Sequence, residues 1–191
     1  MKNVILDILK DSISVKDISI KNNLDKIIDA SQRIAKCITS NHKVLLFGNG
    51  GSAADSQHLA AEFVNRFKIE RPPLAAIALT TDTSILTSIG NDYSFDDVFS
   101  KQILAIGNKD DIAIGISTSG NSKNVVKAIY AAKEKGLYTI GFTGKGGEIA
   151  KCADIVFTVD STVTARIQET HITLGHIFCD LVDRILFPSS F

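Results

Sequence analysis

The chain has 191 residues, about the size of one domain, with 21 basic and 21 acidic side chains and a formal net charge of zero. That balance gives no global field for nucleic acid or an anionic membrane, so any anion site must be local. Cys37, Cys152 and Cys179 are far apart with no CxxC, and no uncharged apolar run approaches the length of a membrane span or signal segment; the expectation is a cytoplasmic protein with reduced, mostly buried thiols and neither a disulfide framework nor a cysteine-based zinc site.

In chain order, residues 3–39 carry apolar side chains at spacings of three and four (Val4, Ile5, Ile8, Leu9, then Leu24, Ile27, Ile28, Ile34), which predicts two amphipathic helices broken near Asn22 and Asn23. An alternation follows: strand 43–47 (KVLLF), helix 52–66, strand 74–79 (LAAIAL), a helix from Asp82, a helix over 95–106, strand 111–117 (DIAIGIS), helix 121–135, strand 137–142 (LYTIGF), a short helix near 147–152, strand 154–159 (DIVFTV) and a long helix over 163–187. The strands are continuous apolar runs rather than alternating ones, as expected for parallel strands covered on both faces. The fold class that follows is α/β, a three-layer α/β/α sandwich on a five-stranded parallel sheet, with the two leading helices outside the regular βα alternation. Ligands of such sheets sit at the carboxyl ends of the strands.

Three strand ends carry turn chemistry: GNGGS after the first, STSGNS (117–122) after the third and TGKGG (143–147) after the fourth. In the second, Ser117, Thr118, Ser119 and Ser122 place four hydroxyls at the start of a helix, more than an N-cap requires, and the helix dipole there favours an anion such as a phosphate. The first loop satisfies GxGxxG/A through Gly48, Gly50 and Ala53, but where a second strand should end in a ribose-binding acid the chain reads IERPP. No nucleotide cofactor is expected, and no Walker loop is present. His58 and Glu62, four apart, share one face of the helix that begins at the glycines; a solvated pair would look the same. Gln168 and His176, eight apart, share a face of the last helix, while Glu169 and His171 point elsewhere.

Taken together, GNGGSAADSQHLAAEF (48–63), GND (90–92), GISTSGNS (115–122), FTG (142–144) and RIQETHITLGH (166–176) resemble the sugar isomerase (SIS) domain and, within it, the phosphoheptose isomerases, over nearly the whole chain. The resemblance implies a flavodoxin-like single SIS domain over 1–191, with 1–40 as a helical extension used in oligomerisation, and a homotetramer with active sites between subunits. It implies a sugar phosphate substrate, with phosphate on Ser117, Thr118, Ser119 and Ser122, and sugar contacts from Asn49, Gly50, Gly51, Ser52, Glu62, Asn91, Asp92 and Gln168. It further implies one zinc ion per subunit on His58, Glu62, Gln168 and His176. The reaction implied is conversion of sedoheptulose 7-phosphate to D-glycero-D-manno-heptose 7-phosphate, the first step towards activated heptose for lipopolysaccharide or capsule. A ketose–aldose interconversion moves a proton between C1 and C2 through an enediol, and Glu62 and His176 can serve as its acid and base; which is which stays open, because a zinc-bound carboxylate is a poorer base. The competing reading is a non-catalytic SIS regulator that binds a replication initiator protein. In those relatives the position of His176 is not histidine, so retaining it here favours the enzyme.

Overall fold

The apolar runs become strands because each supplies side chains to both faces of one sheet. In the computed structural model, which describes residues 1–191, β1 (Val44–Gly48), β2 (Ala76–Ala78), β3 (Ile112–Ser117), β4 (Tyr138–Thr143) and β5 (Ile155–Thr158) form a fully parallel sheet in the order β2-β1-β3-β4-β5. Val44 and Leu46 face one core together with Ile34, Phe63, Leu174 and Phe178, whereas Leu45 and Phe47 face the other with Phe99, Ile103 and Ile129. Burial on both sides is why these strands read as continuous apolar runs.

The helices divide accordingly. The first core is covered by α2 (Leu24–Thr39), α3 (Gly51–Val64) and α8 (Thr164–Leu186), and the second by α5 (Ser100–Ile106), α6 (Lys123–Glu134) and α7 (Ile149–Cys152). Because β2 and β3 flank β1, the chain reverses its direction of travel across the sheet at β1. The loops after β1 and β3 therefore open on one crevice, the usual ligand position in open parallel sheets.

The break at Asn22 and Asn23 is present: α1 (Lys2–Lys21) ends there, and the Asn23 side chain donates to the Ser19 carbonyl. Two sequence expectations change. The strand expected over 74–79 keeps only Ala76–Ala78, because the amide of Leu74 is diverted to the Phe63 carbonyl. The helix expected over 95–106 splits into a 3-10 turn at Phe95–Asp97, capped by Ser94 Oγ accepting from the Asp96 amide, followed by α5. All three cysteines are buried free thiols, and burial raises Cys37 to about 12.

α1 packs on α8, with Ser12 Oγ donating to Glu169 at 2.6 Å and Arg166 donating to the Ile8 carbonyl at 2.8 Å. Only Ser12 and Ser19 of this helix are buried, so its apolar side chains Val4, Ile5, Leu6, Ile8, Leu9 and Ile13 remain more than half exposed. The leading helix is thus ordered by polar anchors to one neighbour while its apolar face is left open.

Candidate active site

The two loops of the crevice are joined by a reciprocal amide pair: Asn49 donates to Asn124 at 2.8 Å, and Asn124 donates back at 2.9 Å. No motif in the sequence marks Asn124. Its position one residue into α6, just past the hydroxyl loop, is the signal that would have found it. In that loop Ser117 Oγ stands 2.9 Å from Ser122 Oγ and 3.3 Å from Ser119 Oγ, and Ser119 Oγ accepts from the Asn121 amide. The amides of Thr118, Ser119 and Ser122 have no partner in the protein. Converging hydroxyls, free amides and the N-terminus of the twelve-residue α6 make an anion cradle of the kind a phosphate fills.

The loop after β4 forms the back of this cradle. The Gly144 amide donates to the Thr118 carbonyl, the Ile149 amide to the Gly120 carbonyl, and the Glu148 amide to Asn121 Oδ1. Gly120 has φ +69 and lies directly against the backbone of Gly146 and Gly147, so a side chain there would force the two loops apart.

The second cluster is built where α3 crosses α8. A Cβ on Gly175 would come within 2.5 Å of both Leu59 methyl carbons, so the missing side chain lets the helices approach closely. The residues next to that contact, His58 and His176, then face each other, Nε2 to Nε2 at 2.9 Å, with Glu62 Oε1 3.4 Å from His58 Nε2. One imidazole must donate to the other, so at least one Nε2 carries a proton and the other a lone pair. The Phe67 ring lies 5.3 Å from that of His176. Burial, followed by the neighbouring His58, lowers the His176 pKa, with Glu62 opposing, which favours the neutral imidazole that a base requires. Asp55, one turn before His58, keeps a buried, unpartnered Oδ2, and burial raises its pKa against the opposing effect of His58.

Other sequence candidates fall in varied places. Gln168 packs its amide over Gly51, close enough that a Cβ there would meet its Nε2 at 2.5 Å, which puts it beside the glycine loop. Ser52 is buried beneath that loop rather than open to the crevice. Asn91 and Asp92, at the exposed end of α4 (Thr83–Asp92), bond to each other at 2.9 Å. Glu169 is engaged by Ser12 and Arg166, and His171 is a core residue whose Nε2–H donates to the Thr143 carbonyl, with burial lowering it to about 4.

His58, Glu62 and His176 are a nitrogen–nitrogen–carboxylate set of the type that holds catalytic zinc. As they stand, however, no three or more His, Cys, Asp or Glu side chains are arranged to hold a metal ion, and the two nitrogens that would ligate are bonded to one another. A concavity of about 600 Å³ lies at the other end of the sheet among Arg33, Lys36, Lys133 and Tyr138, remote in the fold from the strand ends that carry these clusters.

Residues 10–144 match the SIS domain family. A phosphoheptose isomerase of Nitratidesulfovibrio vulgaris is 55% identical over 189 residues, 98% of this chain and 91% of the relative. One of Aquifex aeolicus is 52% identical over 96% of each chain. Among solved structures, a phosphoheptose isomerase of Neisseria gonorrhoeae superposes with a TM-score of 0.90 at 45% identity, covering 95% of this chain and 98% of that one. Another, of Francisella tularensis, gives 0.91 at 37%, covering 95% and 97%.

Proposed function

The chain belongs to the phosphoheptose isomerases of the SIS-domain family, and on that premise we propose which of its residues carry the family's reaction. It is an aldose–ketose isomerase that converts sedoheptulose 7-phosphate to D-glycero-D-manno-heptose 7-phosphate in heptose biosynthesis. The replication-initiator-binding alternative is not favoured by relatives that carry the isomerase name over nearly their full length.

In the proposed site the substrate phosphate sits on Ser117, Thr118, Ser119 and Ser122, held by the free amides and the α6 dipole. Asn49, Gly50, Gly51 and Gln168 meet the sugar hydroxyls, with Ser52 supporting the loop from below. Glu62 and His176 move the proton between C1 and C2: one takes a C1 proton while the other protonates the C2 carbonyl oxygen to give the enediol, and the O1–H proton is then removed as C2 is protonated, leaving the C1 aldehyde. The observation that carries this reading is the meeting of His58, Glu62 and His176 at the α3–α8 crossing. The electrons stay within the substrate, so the reaction has no need of a nicotinamide or flavin.

The proposal extends to features the resemblance implies. His58, Glu62, Gln168 and His176 are the proposed holders of zinc, which would replace the His58–His176 hydrogen bond and, when bound, polarise sugar oxygens; no step above depends on it. The exposed apolar face of α1 is the proposed tetramer seam, and Asn91 and Asp92 the proposed contribution to a pocket shared between subunits. A cytoplasmic location fits a sugar phosphate substrate and three free thiols, and no helix is long and apolar enough to cross a membrane. The heptose is proposed to serve lipopolysaccharide or capsule. The test is to incubate purified protein with sedoheptulose 7-phosphate, with and without zinc, and assay for the aldose phosphate. Product is expected, and its absence under both conditions contradicts the reading.

A further inference from the structure

Between α3 and β2 the chain runs through an irregular, proline-containing segment, and in it Arg71 is buried with 1% of its side chain exposed. Its Nε donates to Asp183 Oδ1 at 3.0 Å, and Asp183, on α8, is equally buried. The rest of the guanidinium is directed at backbone. Nη2 donates to the Glu62 carbonyl at 2.9 Å, and Nη1 to the carbonyls of Phe63 at 2.7 Å, Asn65 at 3.2 Å and Pro72 at 3.2 Å. The last carbonyls of a helix have no intrahelical donor and are usually satisfied by a glycine turn or water. In α3 a buried side chain performs that task, and one of the carbonyls it grips is that of Glu62.

The other end of the grip matters equally. Asp183 lies seven residues, about two turns, from His176 and on the same side of α8. Lys68 in the same irregular segment reaches Asp180 of α8 at 2.6 Å, and Phe67 lies against His176. The segment therefore ties the end of α3 to α8 at points around His176. Asp183 Oδ2 is buried with no partner, so half of this carboxylate is desolvated without compensation. An apolar pair would spare the desolvated charge but could not serve the carbonyls, so the distinctive contribution of the guanidinium is the geometry it fixes at the end of α3.

We infer that Arg71 is a positioning residue for the isomerisation, fixing the C-terminal turn of α3 so that the Glu62 carboxylate stays in register with His176. Arg71 bonds to the Glu62 carbonyl rather than to its carboxylate, so it acts through placement and not as an acid or base. The inference rests on the assignment of proton transfer to Glu62 and His176.

Two variants separate placement from folding. Arg71→Met combined with Asp183→Leu removes the caps but leaves an apolar filling; it is expected to fold with a lowered melting temperature, because the Glu62 carbonyl loses its buried donor, so kcat is read well below that temperature. Arg71→Lys keeps a charge for Asp183 but lacks the planar fork that spans several carbonyls. In both, kcat per folded subunit is expected to fall about tenfold or more with KM within about threefold, and the kcat–pH profile to be displaced, because misplacing a reacting group by a fraction of an ångström weakens the transition state more than substrate binding. Native kcat and a superimposable pH profile in both folded variants would overturn the inference. Glu62→Gln, measured alongside, keeps the two readings apart. Native turnover there overturns the assignment of Glu62 and this inference with it, whereas an inactive Glu62→Gln beside fully active Arg71 variants overturns this inference alone.

Discussion

The two ends of the sheet are built from similar residue types and treat them in opposite ways. At the amino ends of the strands polar demand is met. Asp111, 1% exposed, accepts from the Lys43 amide at 3.0 Å, the Lys43 ammonium at 2.6 Å and the Asn108 amide at 2.8 Å, while Asp154 accepts from Thr139 and Lys133. At the carboxyl ends demand is left open: three loop amides lack partners, two imidazoles face each other, and an Asp55 oxygen is buried alone. Polar groups that satisfy one another hold a fold together, and groups held in place but left partly unsatisfied can interact with something else. A concavity alone does not mark a site, since one of about 600 Å³ lies at the satisfied end.

The largest effect that would sharpen this contrast is on turnover. Glu62→Gln and His176→Gln keep volume and hydrogen bonding but remove the titrating group, so each should lower kcat by about 10²-fold or more with a smaller change in KM, read by steady-state kinetics. At the other end, Asp111→Ala strands the Lys43 and Asn108 amides and should cost about 3 kcal/mol in urea unfolding while kcat measured below the melting temperature stays native. A loss of activity as large as that of Glu62→Gln, at full folding, would dissolve the distinction between the ends.

A third prediction uses His171. Its folded pKa, about 4, lies below the usual 6.5, so between those values the unfolded chain binds the extra proton and the native one does not. Stability should therefore decline by about 3 kcal/mol as pH falls from 7 through this window, with the largest part already lost near pH 4. Chemical denaturation across pH should show a shallower acid slope in His171→Gln. Lowered carboxylate pKa values, such as that of Asp154, destabilise only at lower pH, below the ordinary 3.8. The smallest effect is expected at the anion cradle, where Ser119→Ala with Ser122→Ala should raise KM and weaken inhibition by inorganic phosphate about tenfold, because the backbone amides remain. Exposed or half-exposed hydroxyls at a helix start cost only about 1 kcal/mol of stability when removed, so the melting temperature should shift by a few degrees at most.

Much of this architecture is legible in the residues. KVLLF, DIAIGIS and LYTIGF read as strands because both faces are buried, and helix periodicity breaks at Asn22 and Asn23 where the chain turns. The pairing of Gln168 and His176 on one face follows from a spacing of eight, and their neighbours Glu169 and His171 do turn to other partners. What the residues do not reveal depends on contacts distant in sequence. Nothing local marks Arg71 as buried, since its partner stands 112 positions away and its other acceptors are backbone carbonyls. The meeting of His58 with His176 depends on Gly175 admitting Leu59, a contact that no single helix pattern contains. Asn91 and Asp92 carry the family motif, yet in this chain both are exposed and bond to each other.

Proton transfer by Glu62 and His176 is the central proposed step, and isotope exchange reads it directly. With sedoheptulose 7-phosphate in D2O, an enediol route places solvent deuterium on the carbon that receives the proton, observable by NMR in product and in recovered substrate. The native protein should incorporate deuterium, while Glu62→Gln, folded and still inhibited by inorganic phosphate, should incorporate it at least about 10²-fold more slowly. Native-rate exchange in Glu62→Gln would contradict the central claim.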